Sequence, residues 1–237
     1  MRLVAAVFAS AARDQLIGRS PAQRIVLSPP PVQPVVPLTV QQVASLQRAM
    51  PKRMQAMVLA QAGLGLRVGE LLALRVSEVD FLRREVHIIE QLHPRTRERM
   101  VLKTPSSRRT LPLPQVVADA LAAHLAEFGA NDEGYVFTNA RGLSYQAHTY
   151  QYRLRVQAQR VGLSRVTSHD LRHSYASWLL LAGESVVTVA ARLGHKDASK
   201  VISTYGHLVP GTEDRTRRAI DSAWSAVDVP SALESGS

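Results

Sequence analysis

The sequence predicts an α+β fold, mainly helical, with one small three-stranded antiparallel sheet. Three observations lead there. Apolar residues recur at helical spacing from about Val40 to Leu74 and again beyond Val116. Between them, Glu85 to Leu113 reads as short strands separated by turn residues. Prolines punctuate the chain ahead of the first helical block and after the strands, at Pro112 and Pro114.

The elements follow in order. An amphipathic helix is expected from about Arg2 to Ile17, ended by Gly18 and Pro21. Five prolines in the ten residues from Ser28 to Pro37 forbid helix and favour an extended linker. Thr39 then suits the N-cap of a helix through Met50. A second helix starts near Lys52 and yields at Gly63 and Gly65 to a third, Arg67 to Leu74. The strands are Glu85–Glu90, Arg99–Lys103 and Arg108–Leu113, read as a meander with 93–97 as its first turn. Helices resume at Val116–Phe128, Tyr145–Val161, His169–Leu181, Val186–Leu193 and Ala198–Tyr205, with a last amphipathic one over about Glu213–Ala226.

Length and composition bound the function. At 237 residues with 46% apolar content, the chain can bury one sizeable core. Its 29 Lys and Arg against 19 Asp and Glu give a net charge of +10. Such a balance favours a polyanionic partner, nucleic acid before an anionic membrane surface, although an arginine-rich genome would also produce it. The absence of cysteine excludes disulfides and thiolate metal sites. No run of 18 apolar residues is present to span a bilayer, and the apolar start is followed by Arg13-Asp14-Gln15 rather than an export pattern. A cytoplasmic location is expected.

The chemistry-bearing residues are scattered. Thr167-Ser168-His169-Asp170 fits a capping box, which puts His169 and Arg172 on one face near a helix N-terminus, where backbone amides attract phosphate. The same spacing fits a capped helix with a surface arginine. His169 and His173 also form an H-x-x-x-H pair, yet Asp170 stands where a metalloprotease has Glu, and no third zinc ligand is evident. Arg67 follows a Gly-x-Gly turn, with Glu70 placed either to orient its guanidinium or to form an ordinary i,i+3 pair. Lys103 at a strand end could donate a proton or simply be a solvated turn lysine. His195 follows Gly194 at a helix end, where a cation is favoured anyway, and Tyr205 before Gly206 has packing as its plainer role.

Together these segments resemble the tyrosine recombinases of the phage-integrase family. The resemblance rests on Gly65-Leu66-Arg67-Val68-Gly69-Glu70, on Lys103 ahead of Ser107-Arg108-Arg109-Thr110, on His169-Asp170-Leu171-Arg172-His173, on Leu193-Gly194-His195 and on Tyr205-Gly206-His207, in that order. It covers about Pro37 to Ala226 and implies the catalytic-domain fold of that family. It further implies that Tyr205 attacks a DNA phosphate to form a 3′-phosphotyrosyl link, while Arg67 and Arg172 hold the non-bridging oxygens. Lys103 would protonate the leaving 5′ oxygen, His169 would act as base toward the tyrosine, and His195 would bond the phosphate. The implied partners are double-stranded DNA and further copies of the chain, a tetramer on DNA, with no cofactor, metal, membrane or small-molecule substrate. The lack of a Gly-x-x-x-x-Gly-Lys loop agrees with ATP-independent chemistry.

One departure matters. Members of the family carry a helical core-binding domain ahead of the catalytic one, whereas residues 1–37 offer only a helix and a linker that look like its remnant. Residues 38–227 are then the catalytic domain and 228–237 a tail. The alternative function is a truncated, recombination-inactive DNA-binding remnant or a regulator of a full-length integrase. A type IB topoisomerase would use similar chemistry to nick and reseal one strand. Arg95, Arg97, Arg108, Arg109, Arg153, Arg155 and Arg160 are candidate phosphate contacts.

Overall fold

The computed structural model describes residues 2–23, 35–93, 95–102, 106–208 and 213–225. Lys103, most of the proline-rich linker and the tail 228–237 lie outside the described residues. The chain divides into two units, 1–33 and 34–237. The first holds helix α1 (Arg2–Arg13), shorter than the helix expected to Ile17 because Gln15 takes a left-handed backbone, φ 57°.

Val35 to Leu38 run extended along what becomes α7. The Leu38 amide donates to Ser174 Oγ (2.9 Å) and Trp178 Nε1 donates to the Leu38 carbonyl (3.1 Å). Thr39 then caps α2 (Val40–Ala49) in a reciprocal box: the Gln42 amide donates to Thr39 Oγ1 and the Thr39 amide to Gln42 Oε1. Pro51 opens α3 (Lys52–Leu64), which is buried on several sides because α2, α5 and α7 all pack on it. Gly63 stays inside α3, and the helix stops at Gly65, whose φ of 63° suits glycine. A Cβ there would sit 2.3 Å from Cδ1 of Tyr175, so the close approach demands glycine a second time. Helix α4 (Val68–Ala73) follows at once.

The strands are arranged differently from the expected meander. Strand β2 (Glu85–Ile88) lies between β1 (Val79–Asp80) and β5 (Arg109–Pro112), both antiparallel to it. Strands β3 (Glu90–Leu92) and β4 (Arg99–Val101) form a separate two-stranded hairpin. The register runs Val86 to Leu111 and Ile88 to Arg109 in one sheet, and Glu90 to Val101 in the other. A continuous alternation explains the exchange of partners. Val86, Ile88, Glu90 and Leu92 all point inward, so the chain from 85 to 92 keeps one buried face while β5 pairs its first half and β4 its second. Glu90 looks like a strand end in sequence, but its buried carboxylate is matched by the Arg99 guanidinium.

Pro114 precedes α5 (Gln115–Phe128), and α6 (Ala147–Arg160), α7 (Ser168–Leu181), α8 (Val186–Leu193), α9 (Ser199–Tyr205) and α10 (Glu213–Trp224) complete the chain. The main core gathers Leu46, Met57, Leu64, Leu71, Leu111, Leu121, Phe137, Tyr150 and Leu154. Each buried leucine contributes about 1.5–3 kcal/mol relative to exposure. A second, smaller core joins α7, α8 and α9 through Tyr175, Leu180, Val189, Leu193, Val201 and Tyr205. Tyr205 is thus a member of that satellite core.

Candidate active site

Four segments distant in sequence converge where the two cores meet. Arg67 sits between Gly65 and α4 as the N-cap residue. Its amide donates to Glu70 Oε2 (2.9 Å), Nη1 to Glu70 Oε1 (2.7 Å) and Nη2 to the Gly194 carbonyl (3.2 Å). Glu70 is fully buried, and Arg109 on β5 grips both its oxygens, Nη1 to Oε1 at 3.1 Å and Nη2 to Oε2 at 2.8 Å. Burial pushes the Glu70 carboxyl up, but the hydrogen bonds and charge of Arg109, then those of Arg67, outweigh it and hold the group ionised below its usual range. Arg109 is itself almost wholly buried, with Nε donating to the Arg192 carbonyl (2.7 Å). It therefore supports Arg67 rather than contacting phosphate, which corrects the expectation from sequence.

Arg172 is the hub. On the capped first half of α7 it is only 4% exposed. Nη1 donates to the Gly65 carbonyl (2.6 Å), while Nη2 donates to the Leu193 carbonyl (2.6 Å) and faces His195 Nε2 (3.3 Å). Burial, then repulsion from Arg67, brings its pKa down to about 10, so it stays charged at neutral pH. A guanidinium has five N–H donors, so these three bonds leave Nε–H and one Nη1–H for an anion.

His195 follows the left-handed Gly194 that caps α8. A Cβ on Gly194 would lie 2.9 Å from Arg109 Nη1, so the turn needs glycine for space as well as for φ. Burial, then Arg172 and Arg67, lower the His195 pKa to about 4, leaving it neutral. Its Nε2 faces Arg172, and its Nδ1 is buried without a hydrogen-bond partner among the described residues. A cleft opens beside these groups, lined by Arg67, Ser106, Ser107, Gly194, His195, Lys196, Asp197 and Lys200.

Tyr205, the last residue of α9, is 4% exposed, and its Oη lies 2.5 Å from His173 Nδ1. Burial raises the phenol to about 12 against the pull of Arg172, so the hydroxyl keeps its proton at neutral pH. His169 is held by the capping box, its amide donating to Thr167 Oγ1 (3.2 Å). Its ring meets His173 edge to face with centroids 4.3 Å apart. The structure thus brings together Arg67, Arg172, His195 and Tyr205, with His169 reaching the tyrosine by way of His173; Lys103 lies outside the described residues. Sequence reasoning passed over His173 as a partner of the tyrosine, because its only signal was a place one turn after His169 on the same helix face. Among the described residues no group of three or more His, Cys, Asp or Glu side chains is arranged to hold a metal ion.

The phage integrase family model matches residues 37–211. The chain belongs to the phage integrase family. It is 30% identical to a XerC-like tyrosine recombinase of Caldanaerobacter subterraneus subsp. tengcongensis over 181 residues, 67% of this chain and 46% of that protein. It is also 30% identical to the integrase of Staphylococcus phage L54a, over 62% of this chain and 46% of the phage protein. The chain therefore spans about half the length of the curated relatives it matches. In three dimensions it resembles the Tn1549 transposon integrase in complex with transposon right-end DNA, with a TM-score of 0.72, 22% identity, and coverage of 92% of this chain and 76% of that one. The XerA recombinase is similar over 82% of this chain and 66% of its own, with a TM-score of 0.61 and 23% identity. The mainly helical α+β fold with its small antiparallel sheet is the fold of these phage-integrase relatives.

Proposed function

We propose that this integrase-family chain is a site-specific DNA recombinase that breaks and rejoins strands through a 3′-phosphotyrosyl intermediate. The observation that carries the reading is Arg172: one buried guanidinium ties the Gly65–Arg67 turn to the Leu193–His195 turn, on the helix that also faces Tyr205. In this mechanism Tyr205 Oη forms a bond to phosphorus and the bond to the 5′ oxygen breaks. The tyrosine proton passes to a histidine of α7, and Lys103 supplies one to the departing oxygen. Arg67 and Arg172 stabilise charge growing on the non-bridging oxygens, and His195 bonds the phosphate. Attack by a partner strand's 5′ hydroxyl reverses each transfer, so no nucleotide cofactor is needed.

Double-stranded DNA is the proposed partner, supported by the net charge of +10 and by the exposed Arg153, Arg155 and Arg160 on α6. Helix α10 leaves Ile220 and Trp224 exposed, 54% and 59%, one turn apart on one side. We take this face as the contact between copies in a DNA-bound tetramer. No helix of the described residues is long and apolar enough to cross a membrane, and the cytoplasm, where DNA is accessible, is the proposed location.

Covalent capture tests the reading. The protein is incubated with fragmented DNA of its own element and denatured, and the DNA that stays attached is sequenced. Attached DNA that vanishes with Tyr205→Phe is the expected result. Salt-sensitive binding without any attachment would instead favour a DNA-binding regulator or remnant.

A further inference from the structure

We propose that His173 is a catalytic residue, accepting the Tyr205 proton as the tyrosine oxygen bonds to phosphorus. This rests on the recombinase reading and specifies which histidine serves the nucleophile. The contact is direct: Nδ1 stands 2.5 Å from the oxygen that would attack, and the two rings meet at 61° with centroids 5.4 Å apart. That is hydrogen-bond reach of the proton to be moved, the first requirement of a general base. His173 is half-buried and fixed by its helix, while the tyrosine is held by the satellite core, so neither ring must search for the other. The charged and titratable groups facing His173 are His169, Asp170 and Arg172 on α7 and Tyr205 on α9.

Chemistry at the two ends is matched. Burial, then His169, lower the His173 pKa to about 4, so at neutral pH its ring is uncharged and holds a lone pair. With the ring hydrogen on Nε2, the phenol donates to Nδ1. The phenol, raised to about 12, does not ionise unaided. Two changes close this gap as reaction proceeds. The negative phosphate raises the histidine's affinity for a proton, and bonding to phosphorus acidifies the phenol oxygen. In the cleavage step the Oη–P bond forms, the P–O5′ bond breaks and the proton moves from Oη to Nδ1. In the rejoining step His173 returns that proton to the departing tyrosine.

The test follows single-turnover adduct formation on the DNA site captured by the unaltered chain, carrying a 5′-bridging phosphorothiolate at the scissile position. Sulfur leaves without a proton, so the rate reads activation of the nucleophile alone. His173→Ala is expected to slow adduct formation by about 10²-fold or more, with partial restoration by added imidazole. His173→Asn, whose amide oxygen keeps a hydrogen bond to the phenol but takes no proton, is expected to remain as slow. A His173→Asn rate within about threefold of the unaltered chain, well short of a base's contribution, would overturn the proposal.

A second measurement needs no DNA. Ring ¹⁵N shifts of the free protein are expected to show Nδ1 without hydrogen, with a resonance that moves in Tyr205→Phe. A hydrogen resident on Nδ1 at neutral pH overturns the proposal. Failure of the unaltered chain to form an adduct on any DNA overturns the recombinase reading and this proposal with it. That outcome is distinct from cleavage by the unaltered chain and His173→Asn alike.

Discussion

Arg109 and Glu70 form a two-pronged ion pair sealed from solvent, Nη1 on Oε1 and Nη2 on Oε2. Because Arg67 Nη1 donates to the same carboxylate, the pair also fixes the orientation of the Arg67 guanidinium. Removing one member strands the others in a low-dielectric site. Glu70→Ala is expected to cost about 3–5 kcal/mol in urea unfolding. The ionised Glu70 contributes stability at pH values above the unfolded glutamate pKa, and that contribution fades as pH falls through the lower, folded value. The difference in stability between the unaltered protein and Glu70→Ala should therefore shrink in acid.

Gly65 offers a cleaner test of local geometry. Gly65→Ala requires both a left-handed alanine and displacement of the Tyr175 ring, and is expected to lower stability by about 2 kcal/mol or more. Its carbonyl is also an acceptor for Arg172, so adduct formation should fall with it. Thermal melts and capture yields check the two effects separately.

The histidines predict an acid limb. His173 and His195 have folded pKa values lowered to about 4, below the ordinary histidine value of about 6.5. Between those values the unfolded chain binds more protons than the folded one. Stability from these groups is thus complete above about pH 6.5, declines as pH drops toward 4, and changes no further below that. Urea midpoints from pH 7 to 4 should fall, and His195→Gln should flatten the decline.

DNA binding, if carried by backbone phosphates, must follow salt. The logarithm of the association constant is expected to fall linearly with the logarithm of salt concentration. Arg155 projects beside Tyr152 and lines a shallow cleft with Arg165 ahead of α7. Arg155→Ala and Arg165→Ala should each reduce the slope by about one while weakening all sequences alike.

Much of this was legible in the chain because it depends on neighbours in sequence. The Thr39 and Thr167 caps, the end of α8 at Gly194 and the strand through Val86 and Ile88 are local, and the structure bears them out. Other features required partners that no local pattern reveals. Arg108 and Arg109 look alike as sequence, yet strand register turns only Arg109 toward buried Glu70. Strand β1 has two residues and no alternation to read. His173 acquires its meaning from Tyr205, 32 residues later and brought to it by two further helices.

Arg172 joins two hydrophobic clusters that are otherwise distinct. One of its bonds ends on Gly65, beside the main cluster, and another on Leu193, inside the smaller one that holds Tyr205. The side chain proposed for the phosphate is therefore also one of the ties between the body of the protein and the piece that bears Tyr205, beside Arg67 on the Gly194 carbonyl and Arg109 on the Arg192 carbonyl. Loosening of that tie would disturb the surroundings of Arg67, His195 and Tyr205 at one stroke. Arg172→Ala should therefore lower cleavage and thermal stability together, with Arg67 and Arg109 left to hold the two parts.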